Sequence, residues 1–246
     1  MDRRFAVASA VGGLLAALVF AVVLTEGTAS NLTASQRVGD FYDAQAHAWL
    51  DGHWHISPDV LGIERFEARG QSYMYQGPTP ALLRVPVAAL THRFDGRLTQ
   101  LSMLLALGVL VLFITRLHWR IRSLVRGEAP VPRGEAAAVA VATFAVVASG
   151  SLLFVASRAW VYHEAIMWGV ALTVGALEGL LVCATEPSRR WIAWTALLGT
   201  LAVSARASVG LGAVGGTALL VAGQIVRWWL DRRTGEANRL TRLVGR

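Results

Sequence analysis

The sequence predicts an all-α fold, a polytopic membrane helical bundle of about six transmembrane helices with a large external first loop containing interfacial helices. Three observations carry this. Hydrophobic residues make up 54% of the chain and charged ones only 16%, against about 25% charged in a soluble domain. The charges cluster between long apolar runs instead of being interspersed with them. Finally, the arginines collect on one side of the topology that those runs define.

The first run, FAVASAVGGLLAALVFAVVLT at 5–25, exceeds the roughly 7–15 apolar residues of a signal peptide. It lacks a well-defined small-residue cleavage site, although GTAS follows at 27–30. It reads as an uncleaved anchor. A polar region covers 26–97. Within it, TPALLRVPVAAL at 79–90 is short of the roughly 20 residues needed to span. It also contains Arg84 and Pro86, so it reads as a re-entrant or interfacial helix. Gly77-Pro78 and Pro80 force a turn ahead of it, with proline suited to the first helical position.

The second span is 98–115, followed by a basic, proline-containing loop at 116–135. The third is 136–157. The short polar turn RAWVYHE leads to the fourth, 165–185, and EPSRR to the fifth, 191–205. Arg206 interrupts the last apolar block. The sixth span is 207–226, and 227–246 forms a basic tail. The whole of 1–246 is a single integral-membrane domain in this reading.

Sidedness follows from counting. The N-terminus, 116–135, 186–190 and 227–246 carry 15 Arg and 6 acids, whereas 26–97, 158–164 and Arg206 carry 8 Arg and 9 acids. The positive-inside rule then puts both termini in the cytoplasm of a multi-pass inner (plasma) membrane protein and the 26–97 loop outside. All 23 basic residues are arginine, which with abundant Ala, Val and Gly suggests GC-rich bacterial coding. The arginines flank spans, so they read as orientation signals and not as a nucleic-acid surface. Cys183 is the lone cysteine, which excludes an intramolecular disulfide. Glu178 lies within a span, where an ionisable group is costly. Two readings stay open: snorkelling to Arg189 or Arg190, or facing a neighbouring helix in the protonated form.

The external loop holds GDFYDAQAHAWLDGHWHIS at 39–57. As a helix, it places Asp40, Asp43, His47 and Asp51 within an arc of about 80°. Tyr42, Ala46 and Trp49 fall opposite. Three readings stay open. The segment can be an interfacial helix with its rings in the headgroups, although its polar stripe lacks the Arg and Lys such helices favour. It can be a metal site, because His47 and Asp51 have i, i+4 spacing and His53 and His55 follow. It can also supply a general base from Asp40 or Asp43, each carboxylate raising the pKa of its neighbour.

Several stretches together resemble the GT-C superfamily of integral-membrane glycosyltransferases. One is the order of a span, an acidic-opening external loop and a surface helix. Others are YDAQAHAWLDGHW at 42–54, GQSYMYQGPTPALLRVP at 70–86 and SRAWVYHEAIMWG at 157–169. The stretch at 70–86 is similar to a G-x-x-Y-x-x-x-G-P-x-P-A-L-L-x-x-P pattern of bacterial members. The resemblance implies an enzyme that takes a sugar from a polyprenyl-phosphate carrier and passes it to an envelope glycan or lipid acceptor on the outer face. It implies a base at Asp40 or Asp43. Cationic stabilisation of the leaving phosphate falls to Arg84, Arg158 or Arg206. His163 and Glu164 sit at the same mouth, and the faces of Tyr73 and Tyr75 suit sugar surfaces. A divalent cation, Mg²⁺ or Mn²⁺, is left open. Where several branches carry an adjacent Asp-Glu pair, this chain has Asp40 and Asp43. It is also shorter than typical members, so the resemblance implies a short member or an N-terminal half. A non-catalytic envelope scaffold or lipid-binding protein is the alternative, followed by a transporter.

Overall fold

The computed structural model describes residues 1–35, 40–186 and 188–244. It is an all-α bundle with one small hairpin. Helix α1 (Arg3–Leu24) opens on an Asp2 cap, whose carboxylate accepts the Arg4 and Phe5 N–H groups. A polar segment then forms α2 (Phe41–Leu50), the short α3 (Pro58–Leu61), strands β1 (Arg65–Ala68) and β2 (Gln71–Met74), and α4 (Thr79–Ala88). Next come α5 (Thr99–Arg126), α6 (Arg133–Val147), α7 (Gly150–Ala156), α8 (Val161–Thr185), α9 (Arg189–Ala205) and α10 (Ala207–Val244).

Four helices, α1, α5, α8 and the Ala207–Leu230 part of α10, are long and apolar enough to cross a membrane. The count becomes five if α6 and α7, bent by 50°, form one broken span. Helix α9, with 17 residues, is shorter.

Helix α8 is the axis. Of its most apolar window 72% is buried, against 11% for α10. Met167, Trp168, Ala171 and Leu172 of α8 pack with Met103, Leu107 and Leu110 of α5, Phe20 of α1, and Leu198 and Ala202 of α9. Small residues permit the close crossings. A Cβ on Gly12 of α1 would stand 2.2 Å from the Ala140 carbonyl oxygen of α6. The polar segment caps one end of this bundle around its own core of Phe41, Tyr42, Ile56, Leu61, Met74, Ala81 and Val161. It docks through Gly77, where a Cβ would lie 1.8 Å from the Ser204 carbonyl oxygen. The Thr79 hydroxyl donates to the Leu201 carbonyl at 2.8 Å beside it.

Several element boundaries differ from the sequence expectation. The second span does not stop at 115, because α5 runs through the expected basic loop to Arg126 and ends at Gly127 with φ +62. No glycine or proline interrupts 116–126, and the arginines there gain partners on neighbouring helices. Glu178 accordingly pairs with Arg116 at 2.8 Å and Arg120 at 3.9 Å, not with Arg189 or Arg190. Arg122 bonds Glu135 at 2.7 Å and the Ala129 carbonyl at 2.7 Å.

The third span breaks between α6 and α7, at a Ser-Gly pair of the kind that kinks helices. The fourth begins at Val161, so His163 and Glu164 lie in the first turn of α8 and not in a hydrated loop. The stretch 227–244 continues α10 as helix. The unexpected hairpin pairs Arg65 with Met74 and Ala68 with Gln71. Its two-residue turn, Arg69-Gly70, has both φ values positive, +53 and +73. That backbone matches strand twist but is usually signalled by Asn-Gly.

Candidate functional site

The capped end gathers side chains from four segments. Asp43 comes from α2, Arg84 from α4, Thr99 from the start of α5, and Glu164 from the first turn of α8. Arg84 Nη1 lies 2.8 Å from Asp43 Oδ2, and its Nη2 lies 2.5 Å from Glu164 Oε2. Nη2 also reaches the Thr99 hydroxyl at 3.1 Å. The Gly96 N–H donates to Asp43 Oδ2 at 2.8 Å. The three charged side chains are at most 4% exposed. The Tyr42 ring stands 5.5 Å from the guanidinium carbon, and its hydroxyl reaches the Val161 carbonyl at 3.4 Å.

Burial on this scale is tolerated because opposite charges meet. Burial pulls the Arg84 guanidinium down, but the Glu164 and Asp43 carboxylates outweigh it and raise it further. Asp43 is pushed up by burial, opposed by Arg84 and the Gly96 N–H. Tyr42 is pushed well above an ordinary phenol, first by burial and then by Glu164.

Asp40 differs. It stands at the start of α2, makes no capping hydrogen bond to that helix and is half-buried. Burial raises its carboxyl, and Asp95 adds to this, while its own backbone N–H and Arg84 oppose. A Cβ on Gly96 would lie 3.7 Å from the Asp40 Cβ, which places Asp40 at the edge of the Asp43 cluster.

Asp40, Asp43, Arg84 and Glu164 are thus brought together. Arg84, expected to face a phosphate, is buried between carboxylates. The aromatic side of α2 does not face headgroups either, because Tyr42 is 1% exposed and packs inward on Arg84. Nor do His47, Asp51, His53 and His55 converge. Gly52, with φ +81, turns the chain directly after Asp51. His53 and His55 then stack on each other at 4.2 Å, while His47 faces His92 and Asp95.

A second group adjoins the first across α8. Glu64 accepts from the hydroxyls of Tyr75 and Tyr162, which also bond each other. Those bonds, Tyr162 first, hold Glu64 below the ordinary carboxyl range. Arg206 lies over the Tyr162 ring at 5.8 Å. Tyr73 instead stacks on Phe66 at 5.4 Å.

A third feature is a polar cavity of about 390 Å³ lined by Glu26, Asn31, Gln100, Ser157, Arg158 and Trp160, together with Leu24 and Ala159. Arg158 is exposed and lies 4.8 Å over the Trp160 ring. His163 bonds the Arg158 carbonyl at 2.6 Å. Gln100, 1% exposed, leaves its side-chain oxygen without a hydrogen-bond partner among the described residues.

Thr99, Gln100, Trp160, Tyr162, Glu64, His92, Asp95 and the Gly96 N–H all escaped the sequence reading. Only His92 and Asp95 offered a signal, their i, i+3 spacing ahead of a glycine.

No protein-family profile matches the chain, and no curated protein or solved structure matches it.

Proposed function

We propose that the protein is a GT-C-like glycosyltransferase that moves a sugar from a polyprenyl-phosphate carrier to a cell-envelope acceptor at the capped end. In this reading the capped end faces outward, both termini are cytoplasmic, and six crossings are made in the inner membrane. The α6–α7 pair counts as one crossing, and α9, about 25 Å long, as another.

The observation that carries the proposal is the contrast between Asp40 and Asp43. Asp43 is committed to Arg84 and to the Gly96 N–H. It is a positioning residue. Asp40 sits half-buried at the rim, its carboxyl raised toward the range useful for a base. It takes the proton of the acceptor hydroxyl as that oxygen attacks the anomeric carbon. The bond to the carrier phosphate breaks, and the electron pair leaves on the phosphate. Arg158, exposed at the polar cavity, supplies cationic stabilisation in place of Arg84, with Arg206 a second arginine at the same end. Trp160, Asn31 and Gln100 offer the ring face and polar groups that a sugar requires.

The test is transfer from labelled lipid-linked sugar in membranes. Asp40→Asn should abolish transfer while leaving the protein monodisperse in detergent. Full activity in that variant would remove Asp40 as the base. A scaffold reading is favoured by the internal charge compensation of Arg84. It is the outcome if the wild type transfers nothing and Asp40→Asn changes no envelope phenotype.

A further inference from the structure

We propose that His47, His92 and Asp95 form a binding site for a transition-metal dication of the Zn²⁺ class. The three side chains come from α2 and from the turn after α4, and their donor atoms lie within 4.8 Å of one another. His47 Nε2 is 3.1 Å from both Asp95 oxygens, and His92 Nδ1 is 3.1 Å from Asp95 Oδ2. Around a tetrahedral Zn²⁺, with ligand bonds near 2.0–2.2 Å, donor atoms stand about 3.3 Å apart. The His47–Asp95 and His92–Asp95 pairs stand just inside that spacing and all three donors lie within 4.8 Å, so a modest adjustment admits an ion.

The two imidazoles stack at 4.1 Å, with planes 20° apart, and each holds a ring nitrogen 3.1 Å from the Asp95 carboxylate. His92 is exposed while His47 and Asp95 are half-buried, which leaves an open side for water. Imidazole and carboxylate together select Zn²⁺, Co²⁺ or Ni²⁺ over Mg²⁺ or Ca²⁺, which favour all-oxygen sites.

The surroundings favour a cation as well. Asp95 adds its negative charge to those of Asp40 and Asp43, with Arg84 as the cation opposing them. The turn carrying His92 and Asp95 is held in place. Asp95 N–H bonds the His92 carbonyl, Arg97 N–H the Phe94 carbonyl, and Gly96, at φ +70, donates to Asp43. A fixed turn lowers the ordering cost of binding.

The site stands on its own geometry and does not depend on the glycosyltransferase reading. The experiment is titration of the purified full chain in detergent with Co²⁺, followed by its visible absorption, and then displacement with Zn²⁺. The wild type should develop a low-coordinate Co²⁺ spectrum that Zn²⁺ erases. His92→Ala, a change at an exposed side chain, and His47→Ala should each weaken binding at least about tenfold, the lower end of losses seen when metal-site partners are removed. The His53→Ala/His55→Ala pair should bind as the wild type does. Equal Co²⁺ affinity in wild type and His92→Ala overturns the site, leaving His47, His92 and Asp95 as a hydrogen-bonded cluster. Loss in the His53/His55 pair alone would move the metal to that stack and equally overturn it.

Discussion

The two ends of the bundle solve the same electrostatic problem with opposite stoichiometry. At the capped end one arginine, Arg84, lies between two carboxylates, Asp43 and Glu164. At the other end one carboxylate, Glu178, receives two arginines, Arg116 and Arg120. The Arg84 group joins residues 43, 84 and 164 and is buried throughout. The Glu178 group joins two helices, and its arginines are about 40% exposed, with Trp191 alongside. Both central ions are buried, Glu178 at 1% exposure, but Arg84 is a single cation shared by two carboxylates, whereas Glu178 has two arginines that reach it from the surface, so losing one leaves the other. The first arrangement fixes a layer onto the bundle. The second anchors a helix end and leaves its arginines partly exposed at the surface.

The comparison can be broken in order of expected effect. Arg84→Met strands two buried carboxylates and should cost about 3–5 kcal/mol of stability, read as the loss of the thermal transition in detergent. Arg116→Met should cost less, because Glu178, itself 1% exposed, keeps Arg120 at 3.9 Å as a partner. Equal losses from the two would show that the ends are energetically alike.

Asp43→Asn keeps the shape but removes a charged partner from Arg84 and Gly96. About 1.5–3 kcal/mol should be lost, measured by the same melt. Gly77→Ala drives a methyl into the Ser204 carbonyl, and overpacking of this kind costs about 1–3 kcal/mol. Proteolysis of the 26–97 segment should accelerate in that variant. Gly134→Ala at the opposite end meets nothing within 4 Å and should leave the digestion pattern alone.

The smallest effect is the pH response of Asp40. Its carboxyl is raised above 3.8 in the folded protein, so the folded state holds that proton more tightly than the unfolded chain. The stability it lends is full below pH 3.8 and is lost as pH rises through the raised value. Asp40→Asn should therefore melt slightly above the wild type at pH 7, with the gap closing in acid. Under the proposed base role, transfer activity should run the other way, rising with pH through the same value as Asp40 ionises. An acid limb that Asp40→Glu leaves unmoved would assign it elsewhere.

Much of the bundle was legible because apolar runs and helix period are local properties. The runs beginning near Phe5, Leu98, Ala165 and Ala207 each became a helix. The break at Arg206 was legible as a charge but not as a turn. It works because Gly210, whose Cβ would stand 2.4 Å from the Val203 nitrogen, lets α10 fold back closely on α9. The fate of Glu178 was not legible, since its partners lie 62 and 58 positions away on a helix expected to have ended. The hairpin hid because Arg69 occupies a left-handed position that asparagine or glycine usually marks.

The site divides the same way. Local spacing placed Asp40, Asp43 and His47 on one helical stripe, and charge counting assigned that stripe to one side of the bundle. Pairing is a long-range property, and only the tertiary structure decided it. Asp43 met Arg84 and lost its freedom, while Asp40 stayed at the rim. His47 left Asp51, His53 and His55 for His92 and Asp95, 45 and 48 positions along the chain. Helical periodicity fixes which face a side chain shares, but it holds no information about what another segment brings to that face.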